Sequence, residues 1–149
     1  MVGIATGLAL EGRKVFTYSI ANFATLRCLE QIRNDAAYHE ANITVVASGG
    51  GFTYGGLGMS HHATEDIAIM RALPNIKVVS PCTAWEVFHA TKALSESKGV
   101  GYLRIEKGGI KKPPKKNIKF KIGKAIEMIP GKDITIIACL LYTSDAADE

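Results

Sequence analysis

Apolar positions along the first hundred residues fall into two alternating patterns. Short continuous apolar runs, bounded by polar or turn residues, occur at Lys14–Ile20, Ile43–Ala47, Ile76–Ser80 and Val100–Ile105. Runs of that length with β-branched and aromatic residues read as strands. Between them lie longer stretches with apolar residues every third or fourth position. Met1–Glu11 reads as a helix in which Ile4, Leu8 and Leu10 alternate with small Gly3, Ala5, Gly7 and Ala9, and Gly12 closes it. Asn22 is placed to cap a helix over Phe23–Tyr38, with Leu26, Leu29 and Ile32 inward. A third helix spans Glu65–Leu73 and stops before Pro74. A fourth starts at Thr83, where Glu86 completes a capping box, and ends near Ser97 and Gly99.

Strands alternating with helices over short connections predict an α/β fold. Its sheet is mostly parallel and doubly wound, with helices on both faces and right-handed crossovers. The pattern changes after residue 110. Lys111–Lys116, built around Pro113-Pro114, reads as an extended linker over 111–117. Beyond it Ile118–Ile122 alternates, Ala125–Ile129 and Asp133–Ala138 are apolar, and Pro130-Gly131 makes a turn. Residues 118–138 are expected to open a second α/β domain that is not completed here. The last eleven residues, 139–149, resemble the translation of a transposase-based sequencing adapter and stand outside the fold reading.

Composition narrows the picture. At 149 residues with 47% apolar content, the chain can build a real core. The net charge of +4 comes from lysines clustered between Lys107 and Lys124. They read as a solvated linker, and no nucleic-acid partner is expected. No run of about eighteen apolar residues occurs, so no helical membrane span is expected. No charged segment precedes the first apolar stretch, so no secretory leader is expected. Cys28, Cys82 and Cys139 are odd in number and widely spaced, which fits reduced thiols in the cytoplasm.

The chemistry concentrates in one loop. Six glycines fall within Gly49–Gly58, followed by His61, His62, Glu65 and Asp66. A loop of this kind after a strand is where open α/β sheets place ligands. Its glycines let a ligand approach the backbone. The loop reads as one wall of a cofactor site shared with another domain. Two other readings compete. His61 and Glu65, four apart, would share a helix face with His62 and Asp66 beside them, as a metal site requires. No third well-spaced histidine follows, so no metal ligand is assigned. A non-catalytic phosphate-binding module would use the same glycines, but the loop lacks both the P-loop ending and the dinucleotide spacing.

In order along the chain, Met1–Gly12, Tyr18–Phe23, Gly58–Asp66, Leu73-Pro74-Asn75 and Val79-Ser80-Pro81 resemble the pyrimidine-binding domain of the transketolase family. The resemblance covers residues 1–110, and residues 118–138 resemble the start of the family's C-terminal domain. It is nearest to the C-terminal half of split bacterial transketolases. Deoxyxylulose-phosphate synthases and the beta subunits of 2-oxoacid dehydrogenases share the domain and are the alternative.

The resemblance implies a transferase using thiamine diphosphate to move a two-carbon ketol unit between sugar phosphates, as in the pentose phosphate pathway. It implies that Phe23 lies against the aminopyrimidine and that Leu26 forms a second wall. Leu26 stands where transketolases often carry an aromatic, a loss of stacking worth about 0.5–1.5 kcal/mol. His61 would exchange protons with the substrate's hydroxyl, His62 would lie beside it, and Lys107 would anchor a substrate phosphate. Two departures touch substrate recognition: Leu57 stands where the family has an acid, and Gly49 near where it has a second histidine. The family's catalytic glutamate would fall three residues before Met1. The diphosphate and Mg2+ site belongs to a different domain, expected on a partner N-terminal subunit. The fragment alone is therefore expected to be inactive, and the parent to be a homodimer or heterotetramer.

Overall fold

The chain's structure, a computed structural model, describes residues 1–107, 118–127 and 129–137. Four strands form one parallel sheet: β1 (Val15–Ile20), β2 (Ile43–Ser48), β3 (Ile76–Val79) and β4 (Val100–Ile105), in the order β1-β2-β4-β3. Val15 pairs with Ile43, Thr44 with Gly101 and Ile76 with Val100. The two inner strands, β2 and β4, are buried along almost their whole length, which is why their apolar runs are continuous. On the edge strand β1, Phe16 (40% exposed) and Tyr18 (65%) flank buried Thr17.

Helices cover both faces. On one face, α1 (Val2–Leu10) and α2 (Ala21–Thr25) bring Val2, Ala5, Ala9, Ala21 and Ala24 against Ile43, Val45 and Ala47. Alanines at these contacts let the helices lie close to the sheet. α3 (Asp66–Ala72) adds Met70 to this core. On the other face, Ala90 and Leu94 of α4 (Ala84–Glu96) pack on Leu103, with Phe120 and Ile122 joining from beyond the linker. The Thr83 capping box forms as expected: the Glu86 amide donates to Thr83 Oγ1 at 3.1 Å, and the Thr83 amide donates to Glu86 Oε2 at 2.9 Å.

Three local expectations are corrected. The second helix begins at Ala21, with Ile20 in the capping position, so Asn22 is no cap. Its amide is used in a tertiary contact instead. The segment expected to be one helix over 23–38 changes pitch: after α2 come a 3₁₀ turn (Leu26–Cys28), one α turn (Leu29–Gln31) and a π stretch (Ile32–Ala37). The tighter 3₁₀ turn rotates each residue further, so Leu26 faces outward, 45% exposed, while Ile32 stays fully buried. Third, α3 starts at Asp66 with Glu65 capping.

The described residues of 118–137 contain turns but no strand or helix, and Ile134, Ile136 and Ile137 are exposed. Apolar alternation alone does not make a strand without a sheet to pair with. The 111–117 linker and the 139–149 segment lie outside the described residues. No described helix is long and apolar enough to cross a membrane.

Candidate functional site

A parallel sheet delivers the C-terminal ends of all its strands to one edge. β1 therefore hands Asn22 and Phe23 to the edge where β2 hands over the glycine loop and β4 hands over Glu106 and Lys107. The two predicted walls meet there. The rings of Phe23 and His61 lie 4.9 Å apart, centroid to centroid, in an edge-to-face arrangement at 61°. The Asn22 side-chain amide donates to the His62 carbonyl at 2.6 Å, tying the end of β1 to the end of the loop. The Arg27 guanidinium lies 4.2 Å over the Phe23 ring, a cation–π contact at helical spacing that the sequence reading missed.

The loop owes its shape to two glycines and a cross-link. Gly49 has φ +75, and a side chain there would meet the Tyr54 ring at 2.3 Å. Gly50 lies against Arg104, where an added Cβ would be 1.6 Å from Nη2. Gly51 and Ala63 pair in an antiparallel bridge, exchanging hydrogen bonds of 2.8 and 2.9 Å, and so close the loop at its neck. Within it, His62 Nε2 lies 3.2 Å from the Gly55 carbonyl. A carbonyl only accepts, so that nitrogen carries the proton and His62 is braced inside the loop. The Phe52 ring meets it at 5.0 Å. His61 has Ser60 Oγ 3.0 Å from Nδ1. Among the described residues its Nε2 has no hydrogen-bond partner. An imidazole held at one nitrogen and open at the other can pass a proton to or from a substrate hydroxyl.

Beneath the loop is a buried ionic cluster that the sequence reading missed. Arg104 Nε lies 3.1 Å from Asp66 Oδ2, and Arg104 Nη1 lies 3.5 Å from Glu106 Oε1. All three side chains are almost completely buried. The Tyr102 hydroxyl donates to Asp66 Oδ2 at 2.6 Å; Thr53 Oγ1 donates to the Gly50 carbonyl at 2.8 Å and lies 3.3 Å from Glu106 Oε2. Burial, reinforced by the Asp66 charge, pushes the Tyr102 phenol far above its ordinary range. A charged residue inside the apolar run Val100–Ile105 was the available signal, since buried charges need partners.

The remaining sequence candidates have definite places. Leu26 lies one turn beyond Phe23, on the outward side of its 3₁₀ turn. Lys107 reaches over the Tyr54 ring of the loop at 5.6 Å. The metal reading loses its geometry. Residues 61–65 are not helical, so His61 and Glu65 do not share a helix face, and Asp66 is committed to Arg104 and Tyr102. Exposed Glu65 accepts a 2.9 Å hydrogen bond from Thr64 Oγ1, which lowers its pKa.

Residues 1–112 match the family described as transketolase, pyrimidine binding domain. The chain is 37% identical over 138 residues to an apulose-4-phosphate transketolase subunit of Phocaeicola vulgatus, spanning 92% of this chain and 44% of that protein. It is 32% identical over 146 residues to the 6-deoxy-6-sulfo-D-fructose transketolase subunit SqwH of a Clostridium species, spanning 98% and 45%. Among solved structures, a split-gene transketolase described as an inactive beta4 tetramer superposes with TM-score 0.76 at 34% identity, over 88% of this chain and 42% of that one. The chain thus spans less than half the length of these relatives.

Proposed function

This chain belongs to the transketolase family through its pyrimidine-binding domain, and from that premise we propose that its parent is the C-terminal subunit of a thiamine-diphosphate-dependent transketolase. The parent transfers a two-carbon ketol unit between sugars. The observation that carries the reading is the Phe23–His61 contact. It sets an apolar aromatic wall beside an imidazole whose Nε2 is open, at the ligand-binding edge of the sheet.

The residues present fit an aminopyrimidine. Phe23 offers a ring to stack on, and exposed Leu26 extends the apolar surface. One face of Phe23 carries Arg27, so a stacked pyrimidine uses the other face or displaces the guanidinium. When bound, thiamine diphosphate supplies a carbon nucleophile and, in its aminopyrimidine, an internal base. His61 handles the substrate's hydroxyl proton, and Lys107 takes a substrate's anionic tail. His62 keeps the loop in shape beside it. The diphosphate and its Mg2+ belong to the N-terminal partner subunit, which completes the site, and the pair works in the cytoplasm as a homodimer of pairs.

Similarity of this degree does not fix the sugar. The two relatives are named for a sugar phosphate and for a sulfonated sugar, so likeness to both leaves the sugar open. The test is reconstitution. This chain, extended at its N-terminus to restore the family glutamate and paired with a matching diphosphate-binding subunit, transfers ketol units from a ketose donor. His61→Ala lowers turnover by roughly 10²–10⁴, the range for a lost general acid–base. A restored pair that is inactive on every ketose donor refutes the proposal.

A further inference from the structure

The histidine loop stands on the buried cluster of Arg104, Asp66 and Glu106. Asp66, the first residue of α3, receives the loop's C-terminal end. Gly50, beside the neck bridge Gly51–Ala63, marks its N-terminal end. Arg104 touches both: its guanidinium fills the space a Gly50 side chain would need, and its Nε pairs with Asp66. Glu106, the next charge along, pairs with Arg104 Nη1 across 3.5 Å through one oxygen, and its other oxygen lies 3.3 Å from Thr53 Oγ1, which itself donates to the Gly50 carbonyl at 2.8 Å. One guanidinium at the end of β4 thus connects to both ends of the loop and, through Glu106, to its interior.

We propose that Arg104 is a positioning residue for His61: by bracing Gly50 and Asp66 together it fixes the neck of the loop, and with it the place of His61 against Phe23. This deepens the functional reading, since a displaced His61 matters to catalysis only if that reading holds. The positioning itself does not depend on it. Arg104 reaches no substrate in this role. It acts through the loop. The arrangement also gives Gly50 a reason. Its φ is not in the left-handed region that favours glycine, and the three atoms nearest to an added Cβ all belong to the guanidinium.

Two variants separate positioning from general stability. Arg104→Lys keeps the charge and loses the planar fork that can meet two partners at once. Gly50→Ala keeps every charge and evicts the guanidinium by sterics. In the 149-residue chain, without cofactor or partner subunit, the His61 ring shifts in ¹H–¹³C spectra report its contact with Phe23. Amide exchange at Gly51 and Ala63 reports the neck, and exchange at Val45 and Val46 reports the sheet core. Both variants are expected to move the His61 ring shifts toward those of Phe23→Ala. They are also expected to speed neck exchange by more than about tenfold, with core exchange within about twofold of the unaltered chain. Unmoved His61 shifts in both variants overturn the proposal. So does core exchange that rises in step with the neck, or loss of the fold in both, because Arg104 would then support the sheet and not the loop. Since the readout uses neither thiamine nor sugar, a failed reconstitution leaves this result standing on its own.

Discussion

The Phe23 ring meets that of His61 in an edge-to-face contact and carries Arg27 over a face, and each contact was differently visible in advance. Phe23 and His61 are legible because each closes a recognisable run: a strand-to-helix junction and a glycine loop. The Arg104–Asp66 pairing was not, because charges distant in sequence leave no periodic trace of their contact; Arg27 stands at helical spacing from Phe23, and its contact was missed. The clearest single-residue prediction concerns Tyr102. Its phenol is protonated in the fold well above the ordinary value of 10.0, because burial and the Asp66 charge both oppose ionisation. Above about pH 10 the unfolded chain releases this proton and the folded chain keeps it, so stability contributed by Tyr102 is full below that pH and declines above it. Tyr102→Phe leaves Asp66 short of a donor and is less stable at neutral pH. Urea unfolding is expected to show the difference narrowing as pH rises past about 10.

Elements follow the same logic one level up. The four strands and α4 were legible because continuous apolar runs, a capping box and Gly99 mark them by local chemistry. The stretch after β1 was not, because tertiary contacts override its helical periodicity: Asn22 leaves the capping role to reach the His62 carbonyl, and the 3₁₀ turn swings Leu26 outward. α4 gives the sharpest test at this scale. Thr83 and Glu86 satisfy each other's backbone amides, and the Cys82 amide also donates to Glu86 Oε2 at 2.8 Å. Thr83→Ala is expected to destabilise the chain by about 1 kcal/mol, read as a lower urea midpoint at unchanged slope. An unchanged midpoint would mean that the packing of Ala90 and Leu94 on the sheet alone holds the helix.

Across the whole molecule, the surface left open is apolar where a partner is expected. Ile4 (74% exposed), Leu8 (42%) and Leu10 (57%) line the outside of α1, opposite buried Val2, Ala5 and Ala9. In the histidine loop Phe52 (68%), Leu57 (59%) and Met59 (85%) are exposed beside the site. Apolar surface on this scale marks association. The isolated chain is expected to self-associate in sedimentation velocity and to release that association when the diphosphate-binding subunit is added; a chain that stays monomeric and ignores its partner would contradict this. Everything at this scale turns on Phe23 forming a wall for thiamine diphosphate that only the assembled pair completes, and calorimetric titration of the cofactor tests it directly. The predicted result is saturable, stoichiometric binding to the pair, none to this chain alone, and affinity about two- to thirteen-fold weaker with Phe23→Ala, the equivalent of about 0.5–1.5 kcal/mol of stacking. Binding by the pair that is indifferent to Phe23, or no binding by the pair at all, would contradict it.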